Sequence, residues 1–233
     1  EIAGEAKSNK ERHWDDASIE QIVSDIAADL GLSHKVDPAI GGFVYDWIGM
    51  TGESPIHFLE RLAGRHGALF SIKAKTIIFA ARGTGNAPGG ASLTPTVLTP
   101  TVIAPKSLTF TRSSRTEYGK VIATYLDRGQ AKRIEVEVET DSEGDSDAVY
   151  RIQEPLASEA EAQRAARAKA DELRRGELTF RCELIGRPTA RAGAPVVFQG
   201  CRPGYDGLEW ILSEATHRYG KNGYTTTIAG TRK

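Results

Sequence analysis

Residues 54–80, SPIHFLERLAGRHGALFSIKAKTIIFA, place a helix and a β-hairpin in direct succession. Ser54 can cap the helix with its hydroxyl, and Pro55 suits the first helical position, where an N–H would have no acceptor. Four apolar residues then recur at the spacing of one helix face: Phe58, Leu59, Leu62 and Ala63. After Gly67, the β-rich runs ALFSI and TIIFA indicate a hairpin. This stretch predicts an α+β fold.

An amphipathic helix precedes this stretch. Its apolar stripe follows the helical period: Ile19, Ile22, Val23, Ile26, Ala27 and Leu30. Ser18 and Gln21 have the spacing of a capping box at its start. We therefore predict a compact helix–helix–hairpin domain over residues 10–82.

Three other features upstream carry predictions. Residues 1–9 alternate weakly, as a strand would, and a lone strand is not stable, so a missing partner sheet is expected. The run FVYDWIGM is apolar enough for a buried strand. Trp47 within this run, and Trp14 just before the first helix, are interpreted as core anchors.

A change of composition marks the end of this domain. Residues 83–105 contain no charged residue and are rich in Gly, Pro, Thr and Ser. Because proline blocks both helices and central strands, we interpret this segment as a linker or long loop.

The remainder, residues 106–233, is predicted to be a mainly antiparallel, β-barrel-like domain with one inserted helix over 158–175. The run RIEVEVE alternates strictly, and Asn222-Gly223 is a strong hairpin signal. The helix has a capping box, Ser158 with Glu161, and a small-residue stripe. Seven runs are predicted as strands: 108–112, 120–126, 133–139, 178–184, 195–198, 209–219 and 224–229.

Composition argues against several classes of protein, although it does not exclude a local basic patch. The 233 residues carry 30 Lys+Arg and 31 Asp+Glu, a net charge of -1, so the basic excess of a nucleic-acid or membrane-surface protein is absent. Two cysteines, Cys182 and Cys201, cannot form a disulfide framework. No apolar run approaches the length of a membrane span. Because the chain begins at Glu1, we interpret it as a piece cut from a larger protein.

Motifs for catalysis or metal binding are missing from the sequence. The five histidines lack metal-ligand spacing: His13, His34, His57, His66 and His217. Asp15-Asp16 is interpreted as helix-start charge, and the acidic run 140–148 as a solvated turn. Ser18, Ser54 and Ser158 are explained as helix caps, and the glycines of 83–90 as part of the linker. We therefore predict no catalytic, cofactor-binding or metal-binding residue.

The order of motifs resembles the phage late control D family, the hub proteins of contractile-tail baseplates, which are related to VgrG-type spike hubs. Four stretches carry the resemblance: KERHWDDASIEQIVSDIAADLGL, TGESPIHFLERLAGRHGALFSIKAKTIIFA, EPLASEAEAQRAARAKADELRRGELTFRCELIGRP and LEWILSEATHRYGKNGYTTTIAG. They span nearly the whole chain, in the order that the family shows.

This resemblance implies a structural protein of a virion tail, assembled in the bacterial cytoplasm. Such hubs are trimers that join the hexameric tail tube to the central spike, and each subunit carries two related β-barrels. The family has no catalytic residues to carry over. Its first barrel would precede Trp14, so residues 1–9 are expected to be the last strand of a mostly missing barrel. Nucleic acid and membrane are not expected as partners.

Two alternatives remain open. The compact layout of residues 10–82 resembles a LysM-like cell-wall binding module, which would bind peptidoglycan. A tail-associated cell-wall hydrolase is the third possibility, although no carboxylate pair or metal set points to a cleft.

Overall fold

The computed structural model of the chain describes residues 4–86, 92–113, 117–127, 129–140, 147–221 and 223–233. Two compact units divide the chain, the first ending at Arg82 and the second beginning at Gly83. Both contain helices and strands, and strands predominate. The α+β class is therefore confirmed.

The first unit has two small sheets and three helices among its described residues. A single 3-10 turn, Gly4–Ala6, precedes the regular elements. These are β1 (Lys10–Ser18), α1 (Ile19–Asp29), β2 (Ser33–Val36), α2 (Pro38–Gly41), β3 (Val44–Glu53), α3 (Pro55–Arg65), β4 (Ala68–Lys73) and β5 (Thr76–Ala81). Strands β1 and β3 form an antiparallel ribbon, and β5 lies between β2 and β4 in the other sheet. The predicted helices α1 and α3 and the β4–β5 hairpin are confirmed.

The N-terminal strand prediction is wrong for residues 4–9. Their only regular element is the 3-10 turn, and the strand begins at Lys10. Strand β1 covers Asp15-Asp16, which therefore lie in a strand rather than at a helix start. Asp16 has a φ of 47°, unusual for a strand, although the pairing register is the same at Trp14, opposite Ile48, and at Ala17, opposite Tyr45. Long-range pairing with β3 forms this strand, because its own residues lack an apolar alternation.

The core of the first unit contains the apolar faces of α1 and α3. Trp14 is 6% exposed and stacks on Phe58 with ring centroids 5.3 Å apart, so its role as a core anchor is confirmed. Trp47 is 54% exposed, and its predicted role in the core is wrong. The buried side chains of β3 are Tyr45, Ile48 and Met50, which leaves Trp47 on the outer face of the ribbon.

The second unit contains nine strands and one long helix among its described residues. In chain order they are β6 (Thr96–Leu98), β7 (Thr109–Arg112), β8 (Lys120–Asp127), β9 (Lys132–Glu139), β10 (Val149–Arg151), α4 (Glu159–Glu177), β11 (Leu178–Ile185), β12 (Pro195–Phe198), β13 (Glu209–Gly220) and β14 (Gly223–Arg232). Six strands form a sheet of order β6-β12-β13-β14-β11-β7, and three form a sheet of order β10-β8-β9. All seven predicted strands are confirmed.

Two predictions for the second unit need correction. Residues 83–105 are more than a linker, because β6 pairs in parallel with β12 and Leu98 is fully buried. Prolines flank β6 without interrupting it, and it occupies a sheet edge, where short strands next to proline are tolerated. Helix α4 also continues through Gly176 to Glu177, one residue beyond the predicted stop.

Two apolar clusters hold the second unit together. The small-residue stripe of α4 is buried against β8: Ala162, Ala165, Ala166, Ala170 and Leu173. A cluster centred on Trp210, which is fully buried, fills the space beneath the six-stranded sheet. Small side chains on α4 let the helix approach the strands closely, as predicted for the stripe.

Candidate functional site

The residues that could have carried chemistry lie apart from one another. Each histidine contacts a local partner: His13 with Asp15, His34 with Glu20, His57 with Glu53, His66 with Tyr45, and His217 with Ala190. Across the described ranges, His, Cys, Asp and Glu side chains form no group of three that could hold a metal ion. The described helices include none with the length and apolar character needed to cross a membrane.

Three serines cap helices, as predicted. The hydroxyls of Ser18, Ser54 and Ser158 accept hydrogen bonds from the first turns of α1, α3 and α4. In α4 a Glu161 carboxylate oxygen also accepts from the N–H of Ala157, the residue before the cap, 3.0 Å away. The predicted acidic turn falls largely on residues 141–146, which lie outside the described residues.

The two thiols occupy different environments in the second unit. Cys182 is 1% exposed. Its pKa is raised to about 12, mainly by burial and to a smaller extent by the nearby Cys201 thiol. Burial also raises the pKa of Cys201, which remains partly accessible. A thiol reacts through its thiolate and needs access to the reagent.

Alkylation should therefore distinguish the two cysteines. In the folded protein at pH 8.5, iodoacetamide is expected to modify Cys201 first and to leave Cys182 unmodified. Peptide mass spectrometry at successive times measures this, and denaturant should make both thiols react at similar rates. Equal labelling in the folded state would contradict the buried position of Cys182.

Exposed aromatic side chains mark the end of the β13–β14 hairpin. Tyr219 is 91% exposed and lies opposite Tyr224 in the register. His217 stacks on Tyr224 at 5.9 Å, and its Nε2 lies 3.0 Å from the Ala190 carbonyl oxygen. Because a carbonyl only accepts, Nε2 carries the proton, and Nδ1 accepts from the Tyr224 hydroxyl at 2.8 Å. This fixed aromatic surface resembles the anchors of protein interfaces.

A second exposed aromatic lies on the β1–β3 ribbon. The Trp47 ring lies along the strand over Gly49, where an added Cβ would be 2.8 Å from the ring. His13 is opposite Gly49 and pairs with Asp15 at 3.5 Å. The missing side chain at Gly49 therefore makes room for a flat aromatic surface. Sequence reasoning missed it, because the apolar run around Trp47 gives no indication of which face is buried.

Both sheets of the second unit end in strands without a neighbour in the described part of the chain. These edge strands are β6 and β7 in the larger sheet and β9 and β10 in the smaller one. Unpaired backbone N–H and C=O groups along an edge are a template for pairing with another chain. Open edges and exposed aromatic side chains are features common at surfaces that assemble with other proteins.

The comparisons with known proteins identify the family. The family model for the phage tail baseplate hub (GPD) matches residues 5–223. The chain therefore belongs to this family, and its role is that of a structural component of a tail baseplate hub in the virion.

Similar proteins agree with this assignment. The probable baseplate hub proteins of Escherichia phages 186 and P2 are each 26% identical, over 98% of this chain and 68% of their own length. The 43 kDa tail protein of prophage MuSo2 from Shewanella oneidensis has a TM-score of 0.72 at 17% identity, over 94% of this chain and 66% of its own. At 17% identity, the similarity to the MuSo2 tail protein shows a shared fold and nothing more. The chain spans about two thirds of the length of these relatives.

Proposed function

We propose that this chain joins the tail tube to the central spike as part of a trimeric hub. The observation that carries the proposal is the six-stranded sheet of the second unit, which ends at β6 on one side and β7 on the other. Membership of the baseplate hub family supports assembly with other tail proteins. Edge pairing between subunits would cover these strands, and the exposed Tyr219 offers a further contact.

The proposal extends to the domains of the chain. We assign an α+β domain to residues 10–82 and a barrel-like domain to 106–233, with residues 83–105 connecting them and supplying β6 to the larger sheet. The domains serve as a scaffold, in line with the structural role of the baseplate hub family.

Light scattering tests this proposal. The mass of the chain is measured alone, with the tail tube protein, and with the central spike protein. The expected result is a trimer that forms a complex of equal stoichiometry with the spike protein and also binds the tube protein. A chain that remains a monomer in the presence of both partners would overturn the proposal.

The cell-wall alternatives have simple tests. A peptidoglycan pull-down is expected to leave the chain in the supernatant, and a zymogram is expected to show no clearing. Retention on peptidoglycan would favour the LysM-like alternative, whereas clearing would favour a hydrolase.

A further inference from the structure

A cavity of about 490 Å³ lies in the second unit, where the chain enters strands β6 and β12. These strands run in parallel, with Thr96 beside Val196, so the segments that lead into them lie side by side. One wall, residues 93–97, presents aliphatic side chains among threonines, and the other wall is basic. The principal lining residues are Leu93, Pro95, Val97, Arg187, Thr189 and Arg191.

The basic wall carries uncompensated charge. No lining residue is acidic, and neither the Arg187 nor the Arg191 guanidinium forms an ion pair within the described ranges. Other arginines in the chain do have such partners, as Arg12 has Asp25 and Asp29. Two free guanidinium groups at one cavity favour a ligand with negative charge, because the planar fork of arginine matches a carboxylate in geometry.

The backbone of the basic wall is held in place. The N–H of Arg187 donates to Thr226 Oγ1 at 3.1 Å, and the carbonyl oxygen of Ala190 accepts from His217 Nε2 at 3.0 Å. Thr226 is fully buried and Ala190 is 5% exposed. The arginines therefore project from an ordered segment, which reduces the entropy that binding would cost.

The apolar wall indicates the kind of ligand. Val97 is 46% exposed although it lies in a strand, and Leu93 is half-buried beside it. A free phosphate or carboxylate ion would make no apolar contact with the exposed Val97 side chain. None of the described residues that line the cavity is aromatic, so a base of single-stranded nucleic acid would have nothing on which to stack.

We propose that this cavity binds an extended peptide segment of a partner protein, with carboxylates that pair with Arg187 and Arg191 and an aliphatic side chain that packs on Leu93 and Val97. The site is specific to acidic segments, whichever tail protein supplies the segment.

Fluorescence anisotropy with a labelled hexapeptide of alternating Glu and Val tests the site on the full chain. We expect saturable binding that weakens as salt is added, because the charges are partly exposed. The double variant Arg187→Glu with Arg191→Glu is expected to lose at least about tenfold in affinity, since two charge-assisted contacts become repulsive. The same variant should gain affinity for a hexapeptide of alternating Lys and Val.

The matched control is Arg133→Glu with Arg181→Glu, which reverses two exposed arginines outside the cavity. This control should change the affinity for the Glu-Val peptide by less than about twofold, because salt screens exposed charges far from the cavity. Equal thermal unfolding of both variants shows that the fold is intact. Absence of binding by the unaltered chain, or equal loss in the control, overturns the proposal. So does binding of inorganic phosphate or single-stranded DNA at least as tight as that of the Glu-Val peptide.

Discussion

Replacing Trp210 with alanine is expected to lower the free energy of unfolding of the second unit by about 3–5 kcal/mol, the usual range for removing a large buried aromatic side chain. Trp210 is fully buried. Its ring lies 5.5 Å from Phe110, 5.4 Å from Phe180 and 6.0 Å from Phe198, centroid to centroid. These partners come from β7, β11 and β12, so one indole ring contacts three strands of the six-stranded sheet. Its loss would leave a cavity that the rigid rings around it fill poorly.

Hydrogen exchange measured by mass spectrometry locates this effect. Amides of β11, β13 and β14 should exchange faster in Trp210→Ala, whereas those of α1 and α3 should exchange at the rate of the unaltered protein. The matched control is Trp47→Ala, which removes the same side chain from a position that is 54% exposed. That control should change the unfolding free energy by less than about 1 kcal/mol. Equal destabilisation by the two substitutions would contradict the assignment of the core.

Elements with a local apolar pattern could be predicted from the sequence. Helix α1 has its stripe and cap within residues 18–30, and strand β9 displays its alternation within RIEVEVE. In both elements the apolar positions are the less exposed ones in the structure. The physical reason is that one buried face imposes the period of the element on its own residues.

Elements formed by long-range pairing could not be predicted in the same way. Strand β1 consists mostly of polar residues and forms against β3, and β6 is a three-residue strand between prolines that pairs with β12. The exposed position of Trp47 could not be predicted from the sequence for a similar reason. An apolar run specifies that a strand is present, but the face that is buried depends on what packs against it.

The exposed hairpin end with Tyr219 and the basic cavity wall were harder still to predict from the sequence. Asn222-Gly223 predicted the hairpin, but the exposure of Tyr219 follows from how far the strands extend beyond the core. Arg187 and Arg191 are unremarkable in sequence. They form a candidate binding site only because β6 pairs beside β12, which brings residues 93–97 to the same cavity.

Gly230→Ala is expected to destabilise the second unit by about 1–3 kcal/mol or more, as overpacking of a filled core does. Gly230 lies in β14, between Phe180 of β11 and Leu212 of β13. A Cβ at this position would be 2.5 Å from the carbonyl oxygen of Ile211 and 2.5 Å from Cε1 of Phe180. The carbonyl belongs to a paired strand and cannot move without distorting the sheet. Glycine is required here by space, since its φ is not positive.

Gly64→Ala is the matched control, because the same methyl group is added where nothing lies within 4 Å. Gly64 is inside helix α3, so alanine should stabilise the first unit by about 0.5–1 kcal/mol through its higher helix propensity. Chemical denaturation, followed by Trp fluorescence and by hydrogen exchange in each unit, measures both changes. Opposite signs for the two substitutions would show that the close approach of three strands, and not a general intolerance of alanine, requires glycine at position 230. A neutral Gly230→Ala would mean that β13 and β14 can shift apart without loss of the Trp210 cluster.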